Sequence, residues 1–173
     1  MESSHAYSVE DWLVHAFLGI GQIKAIELKN ISGENVQYYR IKTTDSTFWI
    51  PVDRMDSQEL RPLSTPVEIQ LATAILLRPP KAMSSDHKMR KNDIRRVQLK
   101  NSLEDIARLI RDLRARQLER GELALEELNA MRALKQRLVE EWSVITGEKT
   151  DNIASTVEKL LNDQNLAADS SAD

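Results

Sequence analysis

There is no cysteine in this chain of 173 residues, which excludes disulfides, thiolate metal centres and a cysteine nucleophile together. Nothing ties the fold to an oxidising compartment, and a cytoplasmic setting is expected. Glycine is scarce, at five residues, too few to build a glycine-lined nucleotide site. No GxGxxG, GxxxxGK[ST] or GxSxG pattern occurs, and Gly19-Ile20-Gly21 is too short to act as a phosphate loop. His5, His15 and His87 sit in different segments and in no metal-ligand spacing, so no metal site is expected. No stretch approaches the roughly 18 apolar residues of a membrane span. The N-terminus also lacks the basic start and apolar run of an export signal.

Catalysis needs groups that converge, and the remaining candidates do not. Glu126-Glu127 and Glu140-Glu141 are neighbours on helical segments, where adjacent side chains diverge by about 100°. They read as solvated charges and not as a catalytic dyad. No enzyme and no cofactor is expected; the chain reads as a protein that binds other macromolecules.

What the chain does contain is charge polarity. The formal net charge is −3, which by itself argues against a nucleic-acid binder, but the average conceals a cationic island. From Lys81 to Lys100 there are seven basic residues against two acidic ones, whereas from Gly121 to the end eleven acidic residues outnumber five basic ones.

The first sixty residues read as short strands. Trp12-Leu13-Val14, Ile20 to Leu28, Val36 to Thr43 and Thr47 to Val52 are rich in β-branched and aromatic residues. Gly19 and Gly21 suggest a tight bend or bulge, Ser32-Gly33-Glu34-Asn35 a hairpin turn, and Asp45-Ser46 the next turn. Four or five strands so joined predict a small barrel, with an unspecialised meander as the alternative. Everything after Arg61-Pro62-Leu63-Ser64 has helical spacing. Thr65-Pro66-Val67-Glu68 combines an N-cap, a first-turn proline and a capping-box glutamate, and Pro79-Pro80 ends that helix.

A basic segment from Met83 to Leu99 follows, helical and only partly buried. A further helix carries Leu103, Ile106, Ala107, Ile110 and Leu113 on one stripe, and a longer one runs from Leu123 to Ile145. A last helix uses Ile153, Val157, Leu160 and Leu161. The predicted architecture is α+β: a β domain over residues 1–63, about five helices over 64–163, and a disordered acidic tail over 164–173.

Two surfaces are candidates for binding. Lys81, Lys88, Arg90, Lys91, Arg95, Arg96 and Lys100 are dense enough to hold phosphates, although a solvated amphipathic face would look the same. No Asn or Gln pair is poised for base edges, so contact with backbone or shape is expected, without sequence specificity. In the β domain, Tyr38-Tyr39-Arg40-Ile41-Lys42 and Phe48-Trp49-Ile50-Pro51 carry more large aromatics than a small barrel buries. Such an edge suits strand addition with a protein or stacking on single-stranded nucleic acid. Alternatively, Tyr39, Phe48 and Ile50 are core, and Tyr38 and Trp49 merely cover the outside.

The order of Phe17-Leu18-Gly19-Ile20-Gly21, Ile26-Glu27, Gly33, Tyr38-Tyr39 and Ile50-Pro51-Val52 resembles the Tudor-like module shared by CarD-like regulators and the transcription-repair coupling factor. Leu113-Arg114, Glu119-Arg120-Gly121, Glu126-Glu127 and the Leu-rich helix to Glu140-Glu141 resemble the helical domain of CarD-like proteins. The resemblance covers roughly residues 8 to 162. It implies a monomeric bacterial transcription regulator that pairs a barrel strand with the β-subunit lobe of RNA polymerase. Its helical domain would lie at the upstream edge of the promoter bubble and bias open-complex formation.

By position, the resemblance assigns Lys29 and Trp49 to the polymerase, with Tyr39 and Ile50 nearby in the supporting strands. Lys88, Arg90 and Lys91 fall in its DNA-facing segment. The chain departs from the family twice. Glu10-Asp11 stands where Gly-Asp usually opens the first strand, and Met83 follows Pro80-Lys81-Ala82 where many members place a DNA-wedging tryptophan. Methionine can insert between base steps but lacks an indole to stack. A protein adaptor whose helical domain docks on another protein remains the second reading.

Overall fold

A computed structural model describes residues 7–31, 33–54 and 59–169, the last six for the backbone only. The chain divides into two compact units, Met1–Leu63 and Ser64–Asp173. Among the described residues the first holds strands β1 (Trp12–His15), β2 (Gly19–Ile31), β3 (Glu34–Lys42), β4 (Thr47–Pro51) and β5 (Leu60–Pro62). The second holds helices α1 (Pro66–Leu76), α2 (His87–Lys100), α3 (Leu103–Arg120), α4 (Leu125–Thr146) and α5 (Thr150–Asp169). The fold is α+β: a five-stranded β unit followed by helices.

The strands form one antiparallel sheet in the order β4-β3-β2-β1-β5. Alternation sorts the side chains. Tyr39 and Ile41 of β3 turn inward with Leu13, Ile23 and Leu60, and Phe48 and Ile50 of β4 pack partly buried against them. Tyr38, Arg40 and Trp49 take the opposite face of the same strands. A core this small gains from a polar clamp, and Tyr39 supplies one. Its hydroxyl donates to the Tyr7 carbonyl at 3.0 Å and accepts the Tyr7 N–H at 3.3 Å.

β2 is long because it serves two partners, β1 through Gly19–Gln22 and β3 through Gln22–Ile31. The irregularity in its ladder lies between Ile23 and Ala25, past the glycine pair that suggested it. Gly19 takes a positive φ of 83° in the turn from β1. Gly21 does not; it is glycine because a Cβ there would overlap the Ile41 side chain across the sheet.

In the helical unit, Thr65 Oγ1 accepts the Glu68 N–H while Glu68 Oε2 accepts the Thr65 N–H, the reciprocal cap expected for α1. Asp86 caps α2 and Ser102 caps α3. α3 packs on α1 and α4, α5 packs on α1 and α4, and α2 lies across α3 and α4. Ile106, Ile110, Leu113, Leu134, Leu138, Ile153 and Leu161 form the fully buried centre.

Two expectations need correction. The basic helix begins at His87, because Asp86 caps it, and Met83 lies in the connection before it. The tail expected to be disordered from residue 164 instead continues α5 to Asp169. Leu166, Ala167 and Ala168 are good helix formers, and no glycine or proline interrupts them. Residues 170–173 of that expected tail lie outside the described residues.

Candidate functional site

Each unit presents one charged surface. On the outward face of the sheet, the register places Arg40 opposite Trp49 and Glu27 opposite Tyr38. Lys29 Nζ lies 3.7 Å from the centroid of the Trp49 ring and 5.8 Å from that of Tyr38. Trp49 Nε1 donates to Glu27 Oε2 at 2.9 Å, and Glu27 Oε1 pairs with Arg40 Nε at 3.0 Å. A cation, two aromatic rings and a carboxylate bracketed by guanidinium and indole thus lock one another in place while Trp49 stays 41% exposed. Beside this patch, no strand pairs with the outer edge of β4 among the described residues.

Of the polymerase candidates, Lys29 and Trp49 share this patch. Tyr39 does not: its side chain is fully buried, so it supports the strand from beneath. Ile50 is half-buried against the core and likewise faces inward. Alternation explains both, since Tyr39 and Ile50 are register partners on the inner face. Glu27 and Arg40 were not among the candidates; their signal was their register with Tyr38 and Trp49.

The helical unit splits its basic island. Lys88, Lys91, Arg95, Arg96 and Lys100 are exposed along α2, and Lys81 is exposed in the connection before it. Lys88 and Arg95 carry no ion pair among the described residues, whereas Arg96 pairs with Asp93, Lys100 with Asp105 and Lys91 with Glu126. Burial pushes the Asp105 carboxyl up, but hydrogen bonds from Lys100, Ser102 and Arg108 outweigh it and hold it below the ordinary carboxylate value. Lys81 donates its backbone N–H to Asp112 Oδ1 at 2.9 Å, which pins the connection to α3.

Arg90 is a correction. It is 5% exposed, its Nε pairs with Glu127, and its Nη1 donates to the Ser84 and Ser85 carbonyls at 2.9 and 2.7 Å. A guanidinium so enclosed has nothing to offer a phosphate. Arg90 stands four residues before Ile94 and seven before Val97, on the stripe that meets the core. Met83 is a second correction: it is half-buried against the helical core and is not a free wedge.

Glu127 is not the solvated charge expected of it, being 2% exposed. Burial pushes its carboxyl up, yet the hydrogen bond and charge of Arg90, the Ala124 N–H and the Arg116 charge together hold it below its ordinary value. Its neighbour Glu126 points to solvent and takes Lys91 Nζ at 2.8 Å and His87 Nε2 at 3.6 Å. The 100° divergence was right; one of the two acids points inward. Glu141 is fully buried too and accepts the Ser64 N–H at 2.8 Å.

A family model, the CarD-like/TRCF RID domain, matches residues 7–64. The match covers the β unit and about a third of the chain, so the β unit is similar to such a domain and the helical unit lies outside the match. Domains of this family interact with the RNA polymerase β subunit and are not an enzyme class. In coarse terms the match links the β unit to transcription and to contact with RNA polymerase. No curated protein matches the chain. Among the described residues no acid or histidine cluster could hold a metal ion, and no helix is long and apolar enough to cross a membrane.

Proposed function

We propose that the chain is a transcription regulator that binds the β-subunit lobe of RNA polymerase through its β unit and touches promoter DNA, near the upstream edge of the bubble, through α2. DNA contact would fall mainly on the backbone, without sequence specificity, and would change the stability of the open complex. The observation that carries this reading is the family match over a sheet in which, among the described residues, the β4 edge is unpaired beside an exposed Trp49. β5 is the poorer edge for strand addition, being three residues long and ending in Pro62. Lys88, Arg95, Arg96, Lys91 and Lys81 support the DNA half, since they share one exposed cationic region. The protein acts as a monomer in the cytoplasm.

The test is binding of the full chain to the isolated polymerase β lobe. Lys29→Glu combined with Trp49→Ala is expected to abolish binding, and retained binding would discard the assigned surface. A protein adaptor is the second reading, favoured by Val67 and Leu71, apolar residues one turn apart and both exposed on α1. If Lys88→Ala with Arg95→Ala leaves the salt dependence of fork-junction DNA binding by the polymerase complex unchanged, the adaptor replaces the DNA reading.

A further inference from the structure

His87 and Lys91 lie one turn apart on α2 and converge on a single carboxylate, that of Glu126 in the first turn of α4. The arrangement is solvent-accessible on all three members, with side-chain exposures of 54%, 61% and 55%. It is therefore an exchangeable contact, unlike the enclosed Arg90–Glu127 pair beside it. A carboxylate accepting from a lysine ammonium presents the same anionic oxygens that a phosphate would. Among the described residues, Lys88 and Arg95 on the same helix have no such internal partner.

We propose that Glu126 is a built-in competitor for nucleic-acid phosphate. While its carboxylate is seated, His87 and Lys91 are occupied internally, and DNA gains them only by displacing it. The two helices are not separated in the exchange, because Arg90 and Glu127 keep α2 attached to α4. Glu126 thereby lowers the affinity of the surface and the number of phosphates it engages. The lowered proton affinity of the Glu126 carboxyl, set by the hydrogen bond and charge of Lys91 and then by His87, agrees with a carboxylate that is ionised and seated. This inference rests on the nucleic-acid reading of α2.

The experiment follows binding of the full chain to a fluorescent fork-junction DNA by anisotropy over a salt series, for the wild type, Glu126→Gln, Lys91→Ala and the double variant. Glutamine keeps the size and removes the charge. Glu126→Gln is expected to bind roughly three- to tenfold tighter at low salt, with a salt slope steeper by about one, as for one added phosphate contact. The gain should vanish when Lys91→Ala is also present. Wild-type binding that Glu126→Gln leaves unchanged overturns the competitor and leaves the DNA reading standing. A gain that survives Lys91→Ala overturns it as well, since the effect would then be general charge and not displacement. No binding by any of the four overturns the DNA reading and the competitor with it.

Discussion

Lys29 Nζ lies 3.7 Å from the centroid of the Trp49 ring, on the face of the sheet opposite the buried Tyr39. The contact joins β2 to β4 across β3, so it orders an exposed side chain on the edge strand before any partner arrives. A cation over an exposed indole contributes about 0.5 to 1 kcal/mol. Its larger effect on binding is to hold the ring in one orientation, which reduces the side-chain entropy lost on docking.

Trp49→Ala is accordingly expected to weaken binding to the polymerase β lobe by about 2 kcal/mol or more, as for a buried aromatic anchor. Lys29→Ala should cost about 1 kcal/mol. The double variant should lose less than the sum, because the lysine acts partly through the ring. Titration calorimetry of the four proteins checks this; strict additivity would show that the two residues contact the polymerase independently.

Glu127 makes the helical unit sensitive to acid. Its folded pKa lies below the ordinary value of 4.5, so its stabilising contribution is present above that pH and lost as pH falls through the folded value. Glu127→Ala leaves Arg90 enclosed without its carboxylate and should destabilise the unit by about 3 kcal/mol at neutral pH. Glu127→Gln should flatten the acid limb of the stability curve below about pH 4.5. Urea midpoints measured between neutral pH and the acid limb read both effects, and an acid limb as steep as the wild type's would assign the sensitivity to Asp105 or another carboxylate.

Much of this is legible in the sequence. The capping box at Thr65, the stop at Pro79-Pro80, and the strand and helix order follow from turn chemistry and periodicity, which are local. The site residues are less legible, because composition counts charges and only phase says which face carries them. Glu127, Met131, Leu134, Leu138 and Glu141 recur at intervals of four and three, so both acids sit on the apolar stripe of α4. Arg90, Ile94 and Val97 do the same on α2. An acid and an arginine on facing stripes announce a buried pair. What no local pattern could supply is which stripes meet, and therefore that Glu127 takes Arg90 while Glu126 takes Lys91.

Tyr39→Phe offers a test confined to the β unit. It removes the hydroxyl that both donates to and accepts from the Tyr7 backbone without changing the packing of the ring. The expected cost is about 1 to 2 kcal/mol, with the Tyr7 amide exchanging faster in hydrogen-exchange measurements. Polymerase binding should fall little, since the ring itself is buried; a loss as large as that of Trp49→Ala would show that the N-terminal segment belongs to the interface.

Arg90 and Arg95 are five residues apart on one helix and should behave oppositely. Arg95 is exposed and has no ion pair among the described residues, so Arg95→Ala should leave the unfolding midpoint nearly unchanged. It should also reduce the salt slope of DNA binding by about one. Arg90 is enclosed by Glu127 and two carbonyls, so Arg90→Ala should lower stability by about 3 kcal/mol. At a temperature where the variant is still folded, it should keep the wild-type salt slope, because the guanidinium never reaches solvent. Equal loss of DNA affinity from both variants, with both fully folded, would mean that α2 rotates on binding and exposes Arg90. Paired thermal melts and salt titrations on the two variants decide between a fixed helix and a turning one.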